Sequence, residues 1–221
     1  MEAATGFSAL ADKLCLPVES SATPVRLASP DGSGAIQATR AREGFGSWAI
    51  VRGRKRQTLG LASWPCPEFR WSADSAAFFA NYSDGGTVGE WNVSVHRWEK
   101  GRWHEIDVTQ AVRADFRRSY PKCFEPEDPN LAGVAWRKRS SRLLVAAQVL
   151  PHSNCDAMGT FALYDVLVPS GRILKKYPQL EAKKRFWNLL GSELKNADDD
   201  CIRKPSSCFI PALHGGALGE Q

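Results

Sequence analysis

The chain has 221 residues, 43% of them hydrophobic and 24% charged. That balance excludes wholesale disorder and collagen-like sequence, and it leaves enough chain to bury a sizeable core without the help of a cofactor. The formal charge of +5 is modest and its basic clusters, Arg52 to Arg56, Arg137 to Arg139 and Lys183 to Arg185, are scattered, so no nucleic-acid-binding face is expected; no stretch approaches the roughly 20 apolar residues of a membrane span.

Residues 1–24 form an N-terminal segment without the basic start and continuous apolar run of an export signal. From residue 25 to 177 the chain repeats itself three times, at about 25–64, 67–108 and 131–177. Each copy opens on a turn: Ser29, Pro30, Asp31 and Gly32; Ser72, Ala73, Asp74 and Ser75; Arg137 to Ser141. A strand-like run follows each turn, at Ala35–Thr39, Ala77–Tyr82 and Leu143–Val149, and Trp71 and Trp136 end short strands just before the second and third turns. Each copy then continues through a hairpin whose turn carries Gly53, Gly101 or Gly171. The expected fold is mainly β: three antiparallel blade-like repeats, arranged as a partial propeller or as stacked twisted sheets.

Two helical segments interrupt this pattern. Thr109 is placed to cap a short helix through Phe116, which Pro121 prevents from extending. A second helix is expected over Gln179–Lys195, with Leu180, Lys184, Trp187, Leu190 and Leu194 as its packing stripe and Gly191 as its weak point. Residues 178–221 thus read as a helix followed by a disulfide-tied tail.

The strand, Ser-x-Asp turn, strand, loop, strand, Gly turn, strand pattern resembles the blades of TolB-like and WD40-like β-propellers, although closed propellers have about four to eight blades. The chain as a whole also resembles an uncharacterised family of bacterial proteins, through Tyr82–Gly86, Cys123–Asn130 and the run from Pro151–Gly159 to Leu180–Phe186. That resemblance implies no particular activity.

Six cysteines, Cys15, Cys66, Cys123, Cys155, Cys201 and Cys208, form an even set lying mostly in polar or Pro- and Asp-containing stretches, as disulfide cysteines do. The loop between Cys201 and Cys208, and the loops around the third repeat that hold Cys123 and Cys155, suggest those two pairs, leaving Cys15 with Cys66; six cysteines nevertheless allow fifteen connectivities. Reduced thiols in a cytoplasmic protein are the alternative. Bonded cysteines place the chain in the periplasm or outside the cell and imply a leader removed before Met1.

The loop between the two middle strands lengthens from copy to copy: Ala41–Ser47, Ser83–Glu90, Leu150–Thr160. Stacked alike, the copies bring all three loops to one rim, which then presents Phe45, Asp84, Gly85, Gly86, His152, Asn154 and Asp156, with Trp91 beside them as a ligand-stacking ring. The same residues also serve as turn glycines and packing aromatics, and Trp98 and Trp103 read first as packing between blades. No metal is expected, because no Cys-x-x-Cys pair occurs and Asp198 to Asp200 lack calcium-loop spacing. No nucleophile elbow, zincin or phosphate-loop motif is present, and Glu125, Glu127 and Asp128 are the carboxylates available for glycoside chemistry. The expected function is a non-enzymatic envelope or secreted binding protein for a protein or glycan partner. A carboxylate-dependent glycan hydrolase and an inhibitor or immunity protein against a secreted toxin are the alternatives.

Overall fold

The structure, a computed structural model, describes residues 6–15, 25–39, 47–61, 66–83, 90–124, 127–151 and 155–198. Three antiparallel sheets follow one another along the chain. The first contains β2 (Arg26–Ala28), β3 (Gly34–Thr39), β4 (Ser47–Arg52) and β5 (Lys55–Thr58) in sequence order. The second contains β6 (Glu68–Trp71), β7 (Ala77–Ser83), β8 (Trp91–Glu99) and β9 (Arg102–Ile106), with the short β1 (Asp12–Lys13) added to the edge of β6. The third contains β10 (Asn130–Arg137), β11 (Arg142–Gln148), β12 (Phe161–Leu167) and β13 (Arg172–Pro178). The glycines of the three hairpin turns adopt the left-handed backbone that those turns need, with φ of 58° at Gly53, 79° at Gly101 and 64° at Gly171.

The sheets stack face to face, and strand sequence follows from that. On β7, Phe78 and Ala80 face the first sheet, and Ile36, Trp48 and Ile50 of that sheet with Phe69, Trp71 and Trp103 of the second complete a core rich in aromatics. Phe79, one residue on, faces the third sheet with Val93, Val95, Leu143, Val145 and Tyr164. A strand buried on both faces has no polar side to alternate with, which is why Ala77–Ser83 and Arg142–Gln148 read as nearly continuous apolar runs. The outer face of the third sheet is covered by the C-terminal helices and by Phe7.

The contacts between sheets recur with an offset of one repeat. Trp136 Nε1 donates to the Arg70 carbonyl at 2.9 Å, and Trp71 Nε1 donates to the Leu27 carbonyl at 3.4 Å, so each Trp reaches the same position of the preceding sheet. The first repeat has Ala28 at the equivalent position. The turns are chained in the same way: the Asp31 N–H donates to Ser75 Oγ at 3.0 Å, and Ser140 Oγ donates to Asp74 Oδ2 at 2.8 Å. Within their own turns the Ser29 and Ser72 hydroxyls each donate to the Asp two residues on, both at 2.7 Å. Hydrogen bonds pull the Asp31 carboxyl well below the usual carboxylate range, the Ser33 N–H first among them.

One polar cluster crosses from the second sheet to the third. Asn81 donates to Glu68 Oε2 and to the Gly133 carbonyl, each at 2.9 Å, and accepts from the Gly133 N–H at 2.7 Å. Asn81 is fully buried and both ends of its amide are engaged, so the sequon that begins there is closed to modification in the folded chain. Gly133 is required at this point, because a side-chain carbon would lie 2.8 Å from the Phe79 ring.

Helix α1 (Gln110–Ser119) stops before Pro121 as expected, but Thr109 makes no side-chain cap. Asp107 Oδ1 caps instead, accepting from the N–H groups of Thr109 and Gln110 at 2.8 and 3.1 Å. The C-terminal segment is not one helix: α2 (Gln179–Phe186) passes through a 3₁₀ turn at Trp187–Leu189 and breaks at Gly191 before α3 (Ser192–Lys195). The N-terminal segment lies against the break: the Phe7 carbonyl accepts from the Gly191 N–H at 2.9 Å, and a side-chain carbon on residue 191 would collide with the Gly6 carbonyl oxygen. The packing stripe differs accordingly. Ala182, Phe186, Leu190 and Leu194 are buried, whereas Leu180, Lys184 and Trp187 face solvent.

Disulfides join Cys15 to Cys66 and Cys123 to Cys155. The first ties the N-terminal segment to the second sheet, and the second ties the end of α1 to the loop between β11 and β12. Cys201 and Cys208 lie outside the described residues.

Candidate functional site

The chained turns fix one end of the stack, and the opposite end is therefore common to all three sheets. The terminal pairs Thr39–Ser47, Ser83–Trp91 and Gln148–Phe161 lie there, and the three long loops leave from them. Of the residues expected on this rim, Phe45, Asp84, Gly85, Gly86, His152 and Asn154 lie outside the described residues. Trp91 opens β8 at the rim, but its ring packs on Phe7 with centroids 5.3 Å apart and its backbone N–H donates to Asn130 Oδ1 at 2.9 Å, so it serves as an anchor between sheets. Asp156 is exposed on the third loop. Asp128 forms ion pairs with Arg117 at 2.6 Å and Arg113 at 3.5 Å, and its N–H donates to Glu90 Oε1. Trp98 and the buried Trp103 meet edge to face, 5.3 Å apart, beside the aromatic core of the first two sheets.

Among the described residues, clefts open toward the rim on either side of α1. The first, of about 420 Å³, exists because β9 leaves β8 early: their pairing ends at Val95–Ile106, although β8 begins at Trp91. Val93, Ile106 and Val108 give this cleft an apolar lining, and Tyr82, Asn92, Glu105, Asp107, Thr109 and Arg113 supply its polar groups. Arg113 Nη2 donates to Asn92 Oδ1 at 3.2 Å, which fixes the amide with its NH₂ free to donate elsewhere. Burial, reinforced by Glu105, pushes the Tyr82 hydroxyl above its ordinary pKa against the opposing Arg113, so it remains a proton donor. Burial alone would raise Asp107, but the Thr109 and Gln110 donors and Arg113 hold it below the ordinary carboxylate value. Asp107 is thereby committed as an ionised helix cap.

The second cleft, of about 430 Å³, is lined by Tyr120, Pro121, Lys122, Cys123, Cys155, Asp156 and Ala157, with the disulfide in its wall. Burial raises the Tyr120 hydroxyl, whose ring rests 4.9 Å from Phe116. Helix α1 separates the two clefts and is itself anchored to the third sheet, since Asp115 Oδ2 accepts from Tyr164 at 3.0 Å and from Lys176 at 2.9 Å.

Tyr82, Asn92, Glu105 and Arg113 stand on the strands and helix that flank the rim loops, so the loops by themselves point to Asp156 and not to them. The sequence signal for Tyr82 and Asn92 was their position on either side of the Ser83–Glu90 loop; Arg113 carried none. The fold so assembled is a stack of three antiparallel sheets, disulfide-tied and loop-bearing at one end. No protein-family model, curated protein or solved structure matches this chain.

Proposed function

We propose that the chain is a non-enzymatic binding protein of the envelope or exterior that holds a protein or glycan partner on the loop-bearing rim of its stacked sheets. The observation that carries this reading is the cleft at the β8–β9 divergence. There a phenol, an amide, a carboxylate and a guanidinium alternate around an apolar lining, a mixture suited to a polyhydroxylated ligand that both donates and accepts. The two disulfides fit an oxidising, extracytoplasmic compartment.

A hydrolase would need two carboxyl groups available across a cleft. Asp107 is engaged as a helix cap and Asp128 by two arginines, which disfavours that alternative. The test is titration of the oxidised protein with fragments of envelope polysaccharide, beside a pull-down from periplasmic extract. Binding weakened about tenfold or more by Glu105→Gln or Arg113→Ala supports the reading. Recovery of no partner, together with glycan turnover abolished by Asp84→Ala or Glu127→Ala, overturns it.

A further inference from the structure

The outward face of α2 is unusual in what it leaves in solvent. Among the described residues four large hydrophobic side chains are exposed, and three of them, Leu174 at 37%, Leu180 at 40% and Trp187 at 49%, fall within β13 and the helical segment that follows. The same stretch, residues 172–187, carries six Lys and Arg against the single acid Glu181. Leu180 and Lys184, spaced i, i+4, share the face of α2 opposite the buried Ala182 and Phe186, and the exposed Trp187 opens the 3₁₀ turn that follows. Lys195, from α3, places its Nζ 5.5 Å from the centre of the Trp187 ring.

We infer that this face docks the protein on an anionic phospholipid surface, with Trp187 and Leu180 entering the headgroup layer and the surrounding lysines meeting its phosphates. Charge complementarity selects the occupant. Lys and Arg side chains are drawn to an anionic leaflet, and long cationic side chains can keep their charge at the headgroups while apolar neighbours sink past them. The exposed Trp and Leu favour lipid over nucleic acid, whose phosphate backbone offers no apolar layer to receive them. Glu181 pairs with Lys175 and Arg185 and Asp115 with Lys176, and the six cations still exceed these two acids by four. This docking is independent of the rim reading.

The experiment is co-sedimentation with vesicles of phosphatidylglycerol or of phosphatidylcholine alone. Partition into the first at low salt, about tenfold weaker partition into the second, and release by 0.5 M NaCl are expected. The Leu180→Ser/Trp187→Ser double variant and, separately, Lys184→Glu should each reduce partition about fivefold while keeping the wild-type unfolding midpoint, since all three side chains lie outside the core. Absence of binding to phosphatidylglycerol overturns the inference. So does binding that these variants leave intact, or single-stranded DNA binding that matches the lipid and is indifferent to Trp187→Ser.

Discussion

Acidification should unfold this protein in part through one imidazole. His96 lies on β8 with its ring stacked on Phe78, centroids 4.8 Å apart, and is 3% exposed. Burial lowers its pKa from 6.5 to about 4. As the pH falls below 6.5 the unfolded chain takes up a proton at this position and the folded chain does not, so stability drops until the folded pKa is passed. A shift from 6.5 to about 4 amounts to about 3 kcal/mol, present in full above pH 6.5 and lost by pH 4. His96→Gln removes the titration and adds a constant offset from the lost stacking. Denaturant unfolding of both proteins between pH 4 and pH 8 isolates the effect, because other titrating groups cancel in the difference. The stability advantage of wild type over the variant should shrink by about 3 kcal/mol on going from pH 7 to pH 4. A difference that stays flat over that range would refute a neutral, buried His96.

Glu68 should act with the opposite slope: burial raises its carboxyl above 4.5 against the Asn81 and Phe7 donors, so its contribution to stability declines as the pH climbs through that raised value. Glu68→Gln should therefore gain on wild type as the pH rises above 4.5, measured by the same unfolding series. Replacing Cys15 and Cys66 by serine opens a loop with a sequence separation of 51 and should cost about 4 kcal/mol on chain-entropy grounds, visible as a lowered denaturation midpoint that reductant no longer affects at this bond. Arg142→Ala removes the bidentate partner of Asp165, whose side chain is 0% exposed; with Arg137 still 3.3 Å away, the expected loss is about 3 kcal/mol by chemical denaturation, and Arg142→Lys should recover only part of it.

The rim was legible only as a location. The turns at Asp31 and Asp74 and the glycines at Gly53, Gly101 and Gly171 told where connections leave the sheets, because turn chemistry is local. Which side chains line a cleft there depends on where β9 parts from β8 and on the placement of α1, and no local pattern encodes either. Arg113 reaches Asn92 across 21 positions of chain, and Trp91, which local reading offers as a stacking platform, is taken up by Phe7 from 84 positions away. The helix cap moved from Thr109 to Asp107 for a similarly small reason, since both side chains are chemically suited and only the path of the chain leaving β9 chooses between them.

The mainly β character, the three repeats and their hairpins rest on residue types two to five positions apart, which fix turns and alternate or continuous burial and are therefore readable along the chain. The tertiary structure decided how the repeats meet: Trp71 and Trp136 each tied to the preceding sheet, Asp31 and Asp74 each joined to the next turn, and Gly6 to Leu14 laid along the stack with Phe7 against the helix break at Gly191. It also decided which stripe of α2 is buried. Helical spacing defines faces but cannot say which of them meets the sheet, and here Ala182 and Phe186 do, leaving Leu180 and Trp187 to the surface.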